Sequence, residues 1–156
     1  MVEPRRLQAA EALPLIAFGA IAGVSFLAQP AKFLTPELSL AQLVSVGSTL
    51  FGASHLFQVL LLLVLALVVP GAKDRKPIAW ALLGVFTLAL GVQQLGLMPP
   101  LEARLLQLKQ GLQPPPSLLH GAYVALELLK LTSLLALAWL RPVIRSSRTA
   151  TLGAMV

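Results

Sequence analysis

Four residues in one apolar stretch carry most of the chemistry this chain can offer. His120, Tyr123, Glu127 and Lys130 follow one another at intervals of three, four and three, so on a helix they fall on a single stripe. They lie within Ser117–Leu140, SLLHGAYVALELLKLTSLLALAWL, whose other faces are Leu, Ala and Val. About 20 such residues cross a hydrocarbon core of about 30 Å. A charge at its middle costs at least about 2.5–3.5 kcal/mol on insertion scales, so Glu127 and Lys130 are expected to face protein or water and to be paired. Their i,i+3 spacing lets each partner the other. Such a pair can act as a proton relay or as part of a substrate path. In the plainer reading it is a locally satisfied pair, with Lys130 snorkelling and Glu127 bonded to Gln58 or His55.

A second polar stripe runs through Val46–Val69, where Ser48, His55 and Gln58 share a face with Gly52. His55 and His120 are the only histidines. Two histidines on neighbouring helices can hold a b haem by bis-imidazole ligation. Otherwise His120 is an interfacial residue and His55 a hydrogen-bonded core residue, and no cofactor is expected. A metal site is poorly served by two histidines, Glu127 and no cysteine. Catalysis of the Ser/His/Asp type lacks its parts: the single aspartate, Asp74, sits in a basic turn, and no serine occupies a nucleophile elbow. No glycine-rich phosphate loop occurs. The polar stripes then act as glue between helices, at about 0.6 kcal/mol per bond. The chain is not expected to be an enzyme.

The elements that must position these residues follow from composition. The chain has 156 residues, 57% of them hydrophobic and 12% charged, with a mean hydropathy of +0.84. Soluble domains carry about 25% charged residues, so this composition indicates an integral membrane protein. The net charge of +6 comes from basic residues beside the apolar runs, which suit topology signals and anionic lipid headgroups. No basic surface interleaved with aromatics points to nucleic acid. The absence of cysteine excludes disulfides and thiolate chemistry.

The expected fold is an all-α membrane protein: four transmembrane helices in two hairpins, with one or two short interfacial helices. The spans are expected at about 7–29, 46–69, 78–98 and 117–140, within one transmembrane domain covering 1–156. Arg5 and Arg6 precede the first run as they would in a signal peptide. That run is too long for an h-region, however, and Phe26 three residues before the cleavage point breaks the small-x-small pattern, so it reads as a first span. It ends at Pro30, and Pro14 kinks it or marks its start. Gly19 and Gly23 form a GxxxG packing pattern. Thr35-Pro36-Glu37 reads as a helix start. A helix from Pro36 through to Pro70 would be about 50 Å long at 1.5 Å per residue, so a break near Gly47 is expected. Pro100, Glu102 and Gly111 frame an amphipathic interfacial helix at about 100–111, with Leu101, Leu105, Leu108 and Leu112 on one face. Pro114-Pro115-Pro116 makes a stiff spacer.

Lys and Arg are distributed asymmetrically. Arg5 and Arg6, the turn residues Lys73, Arg75 and Lys76, and the tail residues Arg141, Arg145 and Arg148 fall on one side of four spans; Lys32, Arg104 and Lys109 fall on the other. The positive-inside rule puts both termini on the cytoplasmic, matrix or stromal side. A faint repeat also emerges: a shift of 69 residues brings Pro30 onto Pro99, Gly52 onto Gly121, Ala53 onto Ala122 and Gln58 onto Glu127. A tandem duplication of two spans per half would relate the halves by an axis along the membrane normal, with Gln58 and Glu127 facing each other across it.

Three short stretches carry a family resemblance: Phe26-Leu27-Ala28-Gln29-Pro30-Ala31-Lys32-Phe33, Leu97-Met98-Pro99-Pro100-Leu101-Glu102, and His120-Gly121. With them the chain resembles a group of small four-helix membrane proteins of unknown function, whose vertebrate members are associated with resistance to platinum drugs. Tyr123 stands where the family pattern has serine, and Glu127-Leu128 where it has Asn-Leu. The resemblance implies the four-helix fold and no mechanism.

The function expected first is that of a non-catalytic accessory or scaffold subunit in a larger membrane complex, such as an energy-transducing one. Its partners would be other membrane subunits, and anionic lipids at the basic turn and tail. It would reside in a bacterial or organelle inner membrane. The alternative is a small transporter or proton- or quinone-handling protein that uses His55, Gln58, Glu127 and Lys130. A b-haem electron carrier is a third reading.

Overall fold

The computed structural model describes residues 3–68 and 76–140, with side chains over 12–68 and 77–140. The basic turn around Asp74 and the tail bearing Arg141, Arg145 and Arg148 lie outside the described residues. Most of the described residues are helical, and no strand occurs among them. Four stretches are long and apolar enough to cross a membrane: Ala12–Leu34, Leu40–Val68, Pro77–Lys109 and Leu119–Trp139.

The first stretch is built from α1 (Glu3–Ala22), a π-helical segment Gly23–Ala28, α2 (Gln29–Ala31) and a 3₁₀ turn Lys32–Leu34. Pro14 sits inside α1 and is not its start. Neither does Pro30 end the stretch. It sits inside one unbroken helical run, directly after the π-helical segment, at the point where the regular backbone ladder is already interrupted and a residue without an N–H can be placed.

α3 (Leu40–Val68) is one continuous helix. The expected start at Thr35-Pro36-Glu37 and the expected break near Gly47 are both replaced. The cap is a reciprocal Ser39–Gln42 box: the Ser39 N–H donates to Gln42 Oε1 at 2.8 Å, and the Gln42 N–H to Ser39 Oγ at 3.3 Å. A serine with glutamine three residues on satisfies two N–H groups at once, which Thr35 could not match.

The third stretch repeats the design of the first. α4 (Lys76–Gly91) passes into a π-helical segment, Val92–Leu97, and then α5 (Met98–Lys109). The segment expected as a separate interfacial helix is therefore continuous with the third span, and it packs against α3 and α6 with Met98 and Leu105 buried. It ends where expected. Gly111 adopts φ +78°, the Gly111 N–H donates to the Leu108 carbonyl and the Leu112 N–H to that of Gln107, which is a Schellman cap needing a left-handed residue. The Arg104 guanidinium then pins the proline spacer by donating to the Pro115 carbonyl.

The two π-helical segments stand 69 residues apart, as do Pro30 and Pro99 in the opening positions of α2 and α5. The spacing seen in sequence is thus a spacing of backbone irregularities too. α6 (Leu119–Trp139) is the central helix and packs most extensively on α4 and α1. Towards its C-terminal end it joins a purely apolar core with Ala17, Ile21, Leu65, Leu83, Phe86 and Leu134. The outer faces are also apolar, with Leu27, Leu67, Leu88 and Leu95 among the most exposed side chains.

Candidate functional site

Polar residues collect at the middle of this bundle. Gln58 and Lys130 have no exposed surface, and Glu127 has 2%. Burial of that degree needs hydrogen-bond partners, and both carboxylate oxygens of Glu127 have them. Its Oε1 accepts from Ser25 Oγ at 2.8 Å; its Oε2 accepts from Gln93 Nε2 and Lys130 Nζ, both at 2.8 Å. Ser25 and Gln93 each lie in one of the π-helical segments. The two irregular turns therefore approach one carboxylate from two helices.

Lys130 does not snorkel. Its ammonium donates to Glu127 and to Gln58 Oε1 and sits 5.8 Å from the centre of the Phe86 ring. Gln58 Nε2 in turn donates to Ser54 Oγ at 3.0 Å. Gln58 and Glu127 do not bond each other; both accept from Lys130, which stands between them. His55 is likewise not a partner of Glu127: its Nε2 lies 2.9 Å from the Tyr123 hydroxyl. Gln93 Nε2 also donates to the Tyr123 carbonyl at 3.0 Å. His55 Nδ1 and Gln93 Oε1 are the two buried side-chain atoms left without a partner among the described residues.

Above this network, at the end of the bundle away from the apolar core, lies a partly open cavity of about 650 Å³. Glu127 and Tyr123 form its inner wall, and exposed His120 and Phe33 stand nearer its mouth. Both halves of the chain line it, through residue pairs 69 apart: Gln29 and Met98, Lys32 and Leu101, Phe33 and Glu102, Phe51 and His120. The three stretches singled out in the sequence by their resemblance meet around this one space.

The stripe His120, Tyr123, Glu127 and Lys130 is thus one face of α6, three of its members reaching the cavity and Lys130 lying behind. The two histidines do not converge. His120 lines the cavity, whereas His55 is packed behind it and committed to Tyr123. A bis-imidazole haem needs both rings directed into one slot, so these residues do not fit that group. No cluster of three or more His, Asp or Glu able to hold a metal occurs among the described residues. Gly19 and Gly23 have no neighbouring helix against them; a Cβ at either would meet nothing within 4 Å.

Sequence reasoning missed Ser25, Gln29, Lys32, Ser54 and Gln93 as members of the site. Gln93 was visible as an amide in an apolar span. Ser25 and Gln29 were harder, because a π turn holds more residues than an α turn and moves the inward position by one. No protein-family model, no curated protein and no solved structure matches the chain.

Proposed function

We propose that this chain is a multi-pass membrane protein that binds a small amphipathic molecule between its two halves and works as a non-catalytic transporter of it. Insertion in a bilayer is supported by the inverted polarity: leucines cover the outside, while Gln58, Gln93, Glu127 and Lys130 are buried. Polar groups inside a membrane protein face the bundle interior or a cavity and mark substrate paths. The observation that carries the binding function is the cavity of about 650 Å³ walled by Glu127, a size within the usual range of about 300–1,000 Å³ for small-molecule sites. Lining by both halves agrees with the placement of transporter sites at repeat interfaces. With both termini on the cytoplasmic, matrix or stromal side, the cavity opens on the opposite face.

The test is to purify the chain in a mild detergent, extract bound small molecules and quantify them by mass spectrometry against a Val124→Trp variant, whose added ring fills the cavity. A stoichiometric amphiphile lost from the variant is the expected result. Equal amounts from both proteins overturn the reading.

A second reading, an accessory subunit, has one observation in its favour: nothing packs against Gly19 or Gly23, an edge that offers close approach to a helix from another protein. Size analysis of the same extract checks it. A large multi-protein peak supports it, and a chain eluting alone removes it.

A further inference from the structure

Resting on the cavity reading above, we propose that the bound amphiphile carries an anionic head, a carboxylate or a phosphate, received by the ammonium of Lys32, with its apolar tail along Phe26, Phe33 and Phe51.

The two lysines of the membrane-crossing stretches that approach the site are treated differently. Lys130 has a carboxylate, an amide oxygen and an aromatic ring around its ammonium. Lys32 is half-buried in the cavity wall, donates to Gln29 Oε1 at 2.7 Å and lies 5.1 Å from the centre of the Phe33 ring. No carboxylate pairs with it among the described residues. An ammonium has three protons to donate, and Gln29 takes one. The ammonium lies in the wall of a cavity lined largely by apolar side chains, where a partly desolvated cation gains most from an anion.

The surroundings hold Lys32 in that position. Gln29 Nε2 donates to the Gly47 carbonyl at 3.2 Å, which fixes the amide so that its oxygen turns to Lys32. A Cβ at residue 47 would overlap Lys32 Nζ and stand 3.1 Å from Gln29 Oε1. Glycine at 47 lets the ammonium lie directly against the backbone of α3; a larger residue would push this side-chain end aside. The cavity's acids do not compete for the role. Glu127 is neutralised by Lys130 and already accepts from Ser25 and Gln93, and Glu102, though on the cavity rim, is exposed to solvent on α5.

Equilibrium binding to the full chain in dodecyl maltoside tests this with three probes of equal tail: dodecanoate, dodecyl phosphate and dodecyltrimethylammonium. The anionic probes should bind more tightly than the cationic one. Lys32→Met should weaken both anionic probes by about tenfold or more, the loss of a charge-assisted bond, and Lys32→Arg should retain them. Gly47→Ala, which keeps the charge but pushes the ammonium from its seat, should weaken the anionic probes in the same direction and by less, and covers the case where Lys32→Met does not fold. Tighter binding of dodecanoate identifies a fatty-acid-type head; tighter binding of dodecyl phosphate identifies a phosphate. Preference for the cationic probe, or anionic binding unchanged in both Lys32→Met and Gly47→Ala, overturns the inference. If Val124→Trp still abolishes binding in that case, the cavity reading stands without it; if Val124→Trp changes nothing, both fall.

Discussion

The two ends of the bundle solve opposite problems with the same helices. Towards one end Ala17, Ile21, Leu65, Leu83, Phe86 and Leu134 close on one another in a continuous apolar cluster. Towards the other, the same helices carry Ser25, Gln29, Gln93, Tyr123 and Glu127, and enclose a cavity of about 650 Å³. The boundary is marked by the two π-helical segments, Gly23–Ala28 and Val92–Leu97. Regular α-turns with apolar residues at three- and four-residue intervals interlock into a seal. A π turn adds a residue, rotates the next stretch of helix and delivers an amide or hydroxyl to Glu127. Irregular helix is tolerated at membrane depth where protein or a cavity meets it, and such turns recur at functional sites. On the proposal above, the sealed end holds the helices together and the irregular end binds the ligand.

The largest loss of stability should come at the layer between the ends. Lys130→Met leaves Glu127 buried and unpaired and should cost about 3–5 kcal/mol, whereas adding Glu127→Gln to it should restore most of that loss, because a neutral pair needs no counter-charge. Denaturation midpoints of the single and double variants in detergent measure it.

Truncation at the two ends sharpens the contrast next. Leu134→Ala in the sealed core should cost about 2–5 kcal/mol through the void it leaves. Leu101→Ala, on the cavity wall, enlarges a space that already exists, so its melting temperature should fall clearly less. Equal losses would mean that the cavity is closed and packed in solution.

Tyr123→Phe takes the hydroxyl from His55 Nε2 and should cost about 1–3 kcal/mol, the penalty of a buried polar atom left without its partner. It should also reduce amphiphile binding less than Val124→Trp does, since the ring still packs on Phe51, 4.7 Å away between centroids. The smallest effect is expected outside both ends: Ser39→Ala removes half of the capping box and should cost about 0.5–2 kcal/mol, seen as fraying at the start of α3 by hydrogen exchange with ligand binding unchanged.

Much of the fold was legible in the sequence. Long apolar runs interrupted by proline and basic residues announce four long helices, because hydropathy and length are local properties of the chain. The α6 stripe was legible for the same reason: a period of 3.6 places His120, Tyr123, Glu127 and Lys130 on one face whatever that face meets. The Ser39–Gln42 box was also present as a pattern, though Thr35-Pro36-Glu37 offered a rival start, and only the packed chain chose between them.

Tertiary structure decided the partners. That Glu127 takes Ser25 and Gln93, and that Lys130 rather than Glu127 meets Gln58, depends on the rotation of three other helices about α6. No local rule gives that rotation, and the π turns alter it by one residue in two of them. That Lys32, one of twelve lysines and arginines, is turned inward over Gly47 depends on a contact between segments 15 residues apart. Hydropathy and period were enough for the four long apolar helices and for the polar stripe of α6. Packing determined what those helices enclose, because a cavity belongs to the space between elements and to none of them alone.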